Sequence, residues 1–155
     1  INPAPAVDLR ASDMNGVFAI TPNETEGRIC LGLSPEDPVS DEELAGRLLD
    51  LGVEHVMLTL GPKGVLWACR DDRKLIPALE VNVVDSVGAG DAFNAGLAVG
   101  LSENRPVFES IAMGITTASL STRKRETIES YPYREEVDTR MSDLLNSISP
   151  KSKLK

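Results

Sequence analysis

Residues 83–101 read VVDSVGAGDAFNAGLAVGL, and the reading of this stretch decides the fold. Val83 and Val84 are β-branched and predict the end of a strand. Asp85 and Ser86 lead into Gly88-Ala89-Gly90-Asp91, after which small and apolar residues predict a helix over 90–101. A strand that passes to a helix through Gly-Ala-Gly leaves unpaired backbone N–H groups at the positive end of the helix dipole. Anions bind there, phosphate above all. Glycine lets the backbone come close to a ligand, so successive N–H groups can converge on it. Asp91 falls in the first helical turn, beside any bound phosphate. A carboxylate there repels phosphate unless it has a task, such as taking the proton of an attacking hydroxyl. The plain alternative is a tight turn with Asp91 as an ordinary acid at a helix start.

The chain around this stretch has the composition of an ordinary globular protein. It has 155 residues, 41% apolar and 26% charged, enough for one domain with a real core. Acids outnumber bases 24 to 16, a net charge of −8, which argues against general binding to nucleic acid or to anionic membranes. No apolar run has the length of a membrane span, and no signal peptide is visible. Cys30 and Cys69 lack metal-ligand spacing, so a reduced, cytoplasmic setting is expected rather than a disulfide framework.

Several other stretches carry structural or chemical signals. Residues 1–6, INPAPA, read as the end of a strand entering a proline-rich turn, and 17–20, VFAI, as a short buried strand. In TPNETE, Asn23 and Glu26 have the spacing of a helix N-cap and its reciprocal partner. Ser40 and Glu43 repeat that spacing before a helix to about Leu51, with Leu44, Leu48 and Leu51 as its buried stripe and Gly52 as the stop. His55, the only histidine, precedes the apolar strand VMLTL and has no second histidine or cysteine nearby, so a structural role is expected. Thr59-Leu60-Gly61-Pro62-Lys63-Gly64 then joins this strand to VLWAC as a turn with glycines at both ends. Helix 90–101 is rich in Ala and Gly and should pack closely on a sheet, and Pro106 opens a helix carrying Val107, Phe108, Ile111 and Ile115. Residues 133–148 form a last amphipathic helix, and PKSKLK reads as a frayed basic tail over 150–155.

DSVGAGD resembles the D-T-x-G-A-G-D signature of the ribokinase-like (PfkB) carbohydrate kinases, with Ser86 where Thr is usual. Family members carry a similar N-P-A-P-A near their middle, so the resemblance covers residues 1–149 but only the C-terminal, nucleotide-binding and catalytic half of a member. The other half holds most sugar contacts and a small β lid. The resemblance implies ATP and Mg2+, with Asp91 as catalytic base and the N–H groups of Gly88, Ala89 and Gly90 as an anion hole. It implies that Asn23 and Glu26 contribute to the magnesium and phosphate environment, a role hard cations allow to an amide and a carboxylate acting through water. It implies further that Thr59, Gly61 and Gly64 approach the nucleotide. Lys63 either neutralises phosphate charge or is a solvated loop lysine.

Many members also bind K+ through the aspartate matching Asp85 and a later T-R-K-G-A segment. Here that segment is Thr122-Arg123-Lys124-Arg125-Glu126, and Arg125 at the place of glycine counts against the ion, unless the loop is one residue longer than usual. Gly114 stands where an adenine-contacting Asn or His is usual. NPAPA and TPNETE lean towards ribokinase within the family, whose acceptor is a pentose; the altered 122–126 segment leaves a pseudouridine-like nucleoside kinase open. A non-catalytic, nucleotide-binding fragment is the third reading.

Alternating strands and helices imply an α/β fold with a mainly parallel sheet, and the resemblance makes it a three-layer α/β/α sandwich with its N-terminal half and lid missing. The loops at Asn23, Thr59 and 85–91 all follow expected strands, and ligands of such folds lie beyond strand C-terminal ends. The expected partners are a small sugar or nucleoside, with no nucleic acid and no membrane, and either a separate N-terminal half or a second copy in a homodimer.

Overall fold

The computed structural model describes residues 1–148, so the expected tail over 150–155 lies outside the described residues. The chain divides into two compact units, Ile1–Pro77 and Ala78–Lys155.

The first unit is a four-stranded sheet with two helices. Its strands are β1 (Ala19–Ile20), β2 (His55–Thr59), β3 (Val65–Ala68) and β4 (Arg73–Ile76), in the order β1-β2-β3-β4. Helices α1 (Glu24–Cys30) and α2 (Asp41–Leu49) lie between β1 and β2 in sequence. That crossover lets β1 and β2 run parallel, Ala19 opposite His55 and Ile20 opposite Val56. β2/β3 and β3/β4 are antiparallel. The sheet is therefore mixed and not mainly parallel. Only five residues, Leu60 to Gly64, separate β2 from β3, too few for the crossover that a parallel pair requires.

The expected strand at 17–20 is present, since Glu54 N donates to Val17 O (3.0 Å) and His55 N to Phe18 O (2.9 Å), extending the β1–β2 pairing. On the other edge of β1 the Ile1 ammonium donates to Ala19 O (2.6 Å) and Thr21 N donates to Ile1 O (3.0 Å), the bonding pattern of a parallel strand end.

Helix α1 begins with a complete capping box. Asn23 Oδ1 accepts from Glu26 N (2.8 Å), and Glu26 Oε2 accepts from Asn23 N (2.9 Å). At α2, Ser40 Oγ accepts from Glu43 N (3.2 Å) while the Glu43 carboxylate pairs with Arg47 one turn on. Leu44 and Leu48 of α2 are fully buried with Ile20, Cys30, Val56 and Leu58. Gly27 of α1 lets these leucines approach, for a Cβ there would stand 3.3 Å from both. His55 is structural, as expected. Its Nδ1 accepts from Trp67 Nε1 (3.3 Å), Phe18 packs edge-on against the ring at 4.8 Å, and burial holds its pKa below the ordinary imidazole value.

The second unit holds α3 (Ala89–Ser102), α4 (Val107–Ser121) and α5 (Arg134–Ile148). The helix expected over 90–101 is α3, and its small residues bring it against α4. A Cβ on Gly96 would stand 2.9 Å from Gly114 Cα, and one on Gly100 would stand 2.8 Å from Ser110 Cα. Gly114 answers from α4, where a Cβ would lie 2.8 Å from the Phe93 ring. These contacts leave no room for a methyl group, so the two backbones touch. Asn104 (φ 57°) ends this hairpin's first helix in the left-handed conformation. Glu103 accepts from Arg134 and Arg105, tying the end of α3 to the start of α5, and these hydrogen bonds hold its carboxyl down at about 2.

Val83 and Val84 do not form a strand. Val84 N and Asp85 N both donate to one carbonyl, Thr122 O (2.7 and 3.1 Å), instead of to a ladder. The two side chains are 64% and 55% exposed, so no burial favours a strand there.

Candidate functional site

The expected site residues fall into two groups, one in each unit. In the second unit they form the turn into α3. Asp85 Oδ1 accepts from Val87 N (3.0 Å), and Ser86 O accepts from Ala89 N (3.1 Å), which closes a tight turn over 86–89. Gly88 sits at φ 80°, the left-handed region, and its carbonyl takes the first helical bond from Ala92 N (2.9 Å). A side chain would be strained at that φ. Of the three expected anion-hole donors, Ala89 N–H is engaged with Ser86, while Gly88 and Gly90 N–H carry no bond to any described residue. Asp91 N–H is equally free, since α3 has no side-chain cap. Nothing stands within 4 Å of a Cβ built on Gly90. Asp91 is exposed in the first turn, where its carboxylate faces solvent and the open N–H groups lie beside it. Asn94 Nδ2 donates back to Gly90 O (2.9 Å).

In the first unit, the loops at Asn23 and Thr59 are brought together. Asn23 and Thr59 form a parallel bridge beyond the end of β1, and Thr59 N donates to Pro22 O (2.9 Å). Thr59 Oγ1 lies 3.4 Å from the same carbonyl, so the hydroxyl is only weakly held. A 3-10 turn over Gly61–Lys63 follows, closed by Leu60 N donating to Gly64 O (2.8 Å), with Gly61 and Gly64 at φ 55° and 102°. Lys63 Nζ lies 3.6 Å from Asp41 Oδ2. With the lysine largely exposed, that ion pair is weak.

The donor set bears on which ions these residues suit. Asn23 Oδ1 and Glu26 Oε2 already accept capping bonds, leaving Glu26 Oε1 as the open oxygen. One amide and one carboxylate fit a hard divalent cation that keeps most of its waters. Among the described residues no three His, Cys, Asp or Glu side chains gather as a metal cluster. The segment 122–126 departs from its expectation in one respect. The left-handed residue is Glu126 (φ 71°) and not Arg125, which is exposed. The left-handed turn thus falls one place after Arg125. Thr122 O accepts from two N–H groups and Asp85 Oδ1 from one, which leaves Asp85 Oδ2 without a hydrogen bond among the described residues. Gly114 has a packing reason of its own in Phe93.

Behind the α3 turn lies a depression of about 720 Å3 lined by Glu80, Val81, Asn82, Val84, Arg123 and Arg140. Its two guanidinium groups are already paired, Arg123 with Glu136 and Arg140 with Asp143, so it offers no strong anion site. Residues 122–127 fold back on the α3 turn; the family resemblance pairs Asp85 with 122–126, while no local pattern points to Thr127.

One unit thus carries open N–H groups at a helix start followed by an acid, and the other is an α/β unit with a glycine-flanked loop. The sequence profile of the pfkB family carbohydrate kinases matches residues 1–134, and the chain belongs to that family. A ribokinase of Haemophilus influenzae is 37% identical over 136 residues, covering 88% of this chain and 44% of the relative. A deoxyribokinase of Salmonella typhi is 36% identical over 146 residues, covering 92% of this chain and 47% of the relative. Among solved structures, a ribokinase of Thermotoga maritima superposes with a TM-score of 0.77 at 33% identity, over 91% of this chain and 48% of that one. A ribokinase of Arabidopsis thaliana, solved with ribose and ATP, matches with a TM-score of 0.73 at 28% identity, over 83% of this chain and 42% of that one. The chain thus spans somewhat less than half the length of these relatives. Among the described residues no helix is long and apolar enough to cross a membrane.

Proposed function

We propose that this chain supplies the nucleotide-binding and catalytic part of an ATP-dependent sugar kinase, moving the γ-phosphoryl group of ATP to a hydroxyl of ribose or a related pentose. The observation that carries the reading is the turn into α3. Open N–H groups at Gly88 and Gly90 stand beside the exposed Asp91, in a chain of a carbohydrate kinase family. Asp91 takes the proton from the acceptor hydroxyl as its oxygen attacks phosphorus. The N–H groups of Gly88 and Gly90, joined by Ala89 when its bond to Ser86 opens, stabilise charge developing on the transferred group. Thr59, Gly61 and Gly64 hold the nucleotide by a hydroxyl and by backbone that nothing obstructs, and Lys63 exchanges Asp41 for phosphate. Asn23 and Glu26 would hold a magnesium ion through water, and the ion would neutralise phosphate charge.

The named substrates of the relatives support a pentose acceptor. In this reading the chain is part of a three-layer α/β/α sandwich in the cytoplasm, whose sugar contacts and lid come from a further segment or a second copy, and it has no nucleic-acid or membrane partner. One observation favours a second reading. Because the chain spans less than half of its relatives, it can bind nucleotide without turning over.

Asp91→Asn tests the first reading. In the assembly that shows turnover, phosphoryl transfer falls by about 10²–10⁴-fold while ATP affinity stays within a few-fold. Turnover within tenfold of the parent rules out Asp91 as base. Running ribose, 2-deoxyribose and a nucleoside panel in parallel identifies the acceptor, and ATP binding with no turnover on any of them selects the fragment.

A further inference from the structure

The turn into α3 is held from behind by the segment that leaves α4. Thr122 O captures the N–H groups of Val84 and Asp85 together. Five residues later Thr127 reaches the turn itself. The space where a Cβ of residue 88 would stand is taken by the Thr127 methyl, 2.5 Å from that position, whereas the hydroxyl is 3.7 Å away. Thr127 is fixed in turn. The chain reverses at Glu126 (φ 71°) immediately before it, and the buried Ser130 donates its Oγ hydrogen to Thr127 O (2.7 Å).

A glycine at φ 80° moves to negative φ without steric cost, and the adjoining N–H groups then point elsewhere. Donors that stabilise developing charge are effective only when fixed beforehand. We infer that Thr127 is a positioning residue whose methyl group braces Gly88 in its left-handed conformation and so keeps the open N–H groups of the α3 turn aimed at the phosphate. The inference rests on the function proposed above, but the brace itself is readable without any nucleotide.

Because the methyl is nearer to Gly88 than the hydroxyl, two small substitutions separate their parts. Thr127→Val keeps a methyl in place, and Thr127→Ser removes it. The probes are amide hydrogen exchange at Ala89, whose N–H closes the turn on Ser86, and equilibrium binding of MgATP. In Thr127→Ser, Ala89 exchanges faster and MgATP binds about three- to tenfold more weakly, while Thr127→Val stays within about twofold of the parent in both. The two variants share one melting temperature to within a few degrees, which a general loss of packing would not give. The inference is overturned if Ser and Val behave alike, whether both are unchanged or both impaired. If the parent chain binds no MgATP while Ala89 still exchanges faster in Thr127→Ser, the nucleotide reading fails and the brace stands.

Discussion

The loop pair at Asn23 and Thr59 and the turn at Gly88 are both glycine-flanked and both expected to meet the same phosphates, yet they are bonded in opposite ways. Around Asn23 and Thr59 the functional atoms already serve the fold. Asn23 and Glu26 cap each other, Thr59 bridges to Asn23, and Lys63 pairs with Asp41. Around Gly88 the N–H groups of Gly88, Gly90 and Asp91 donate to nothing among the described residues. The first loop pair will therefore report a substitution as lost stability, the second as lost ligand binding. Unsatisfied donors gathered at one place are the stronger pointer to a ligand.

Three substitutions sharpen or break this contrast. Gly88→Ala has the largest effect, because the new Cβ meets the Thr127 methyl at 2.5 Å and must sit at φ 80°. Thermal or urea unfolding should show a loss of about 1–3 kcal/mol, with MgATP binding lost as well. A stable Gly88→Ala that still binds would mean the turn tolerates another conformation. Asn23→Ala comes next. It removes half of a capping box and should cost about 1 kcal/mol in unfolding experiments, with MgATP binding changed far less. Unchanged stability combined with abolished binding would invert the contrast. Gly90→Ala is the smallest and has the opposite sign. With open space above it and ordinary helical backbone, it should stabilise the chain by about 0.5–1 kcal/mol. It should weaken MgATP all the same, since a methyl now stands over the free N–H groups. Gains in both quantities would remove the anion from this turn.

Much of this was legible in the sequence, and the exceptions share a cause. The capping box at Asn23, the Ser40 cap and the buried Leu44 and Leu48 of α2 depend on residues three or four apart and were foreseen. Glu43, however, pairs with Arg47 instead of closing a second box, and α2 stops at Leu49, short of Leu51. The features missed depend on partners distant in sequence. Val83 and Val84 look like a strand, but a strand exists only where another accepts its hydrogen bonds, and Thr122 O takes them instead. β4, Arg-Lys-Leu-Ile, carries the charges of an exposed edge and so lacks an apolar run. The glycines of α3 announced close packing, expected on a sheet, and within its unit α4 supplies the matching Gly114 and Ser110. The brace at Thr127 lies nearly forty positions from the turn it supports.

The hydrogen bond from Trp67 to His55 has a practical consequence. Trp67 is the chain's one tryptophan and belongs to the first unit, while both tyrosines, Tyr131 and Tyr133, belong to the second. Emission excited at the red edge of the indole band therefore follows the sheet unit alone, and near-ultraviolet tyrosine signals follow the helical unit. His55 adds a reporter of acidity, since its protonation removes the acceptor beside the indole and burial sets that event below the usual imidazole range. Unfolding curves recorded at the two wavelengths coincide if the units melt as one cooperative body and separate if each melts alone.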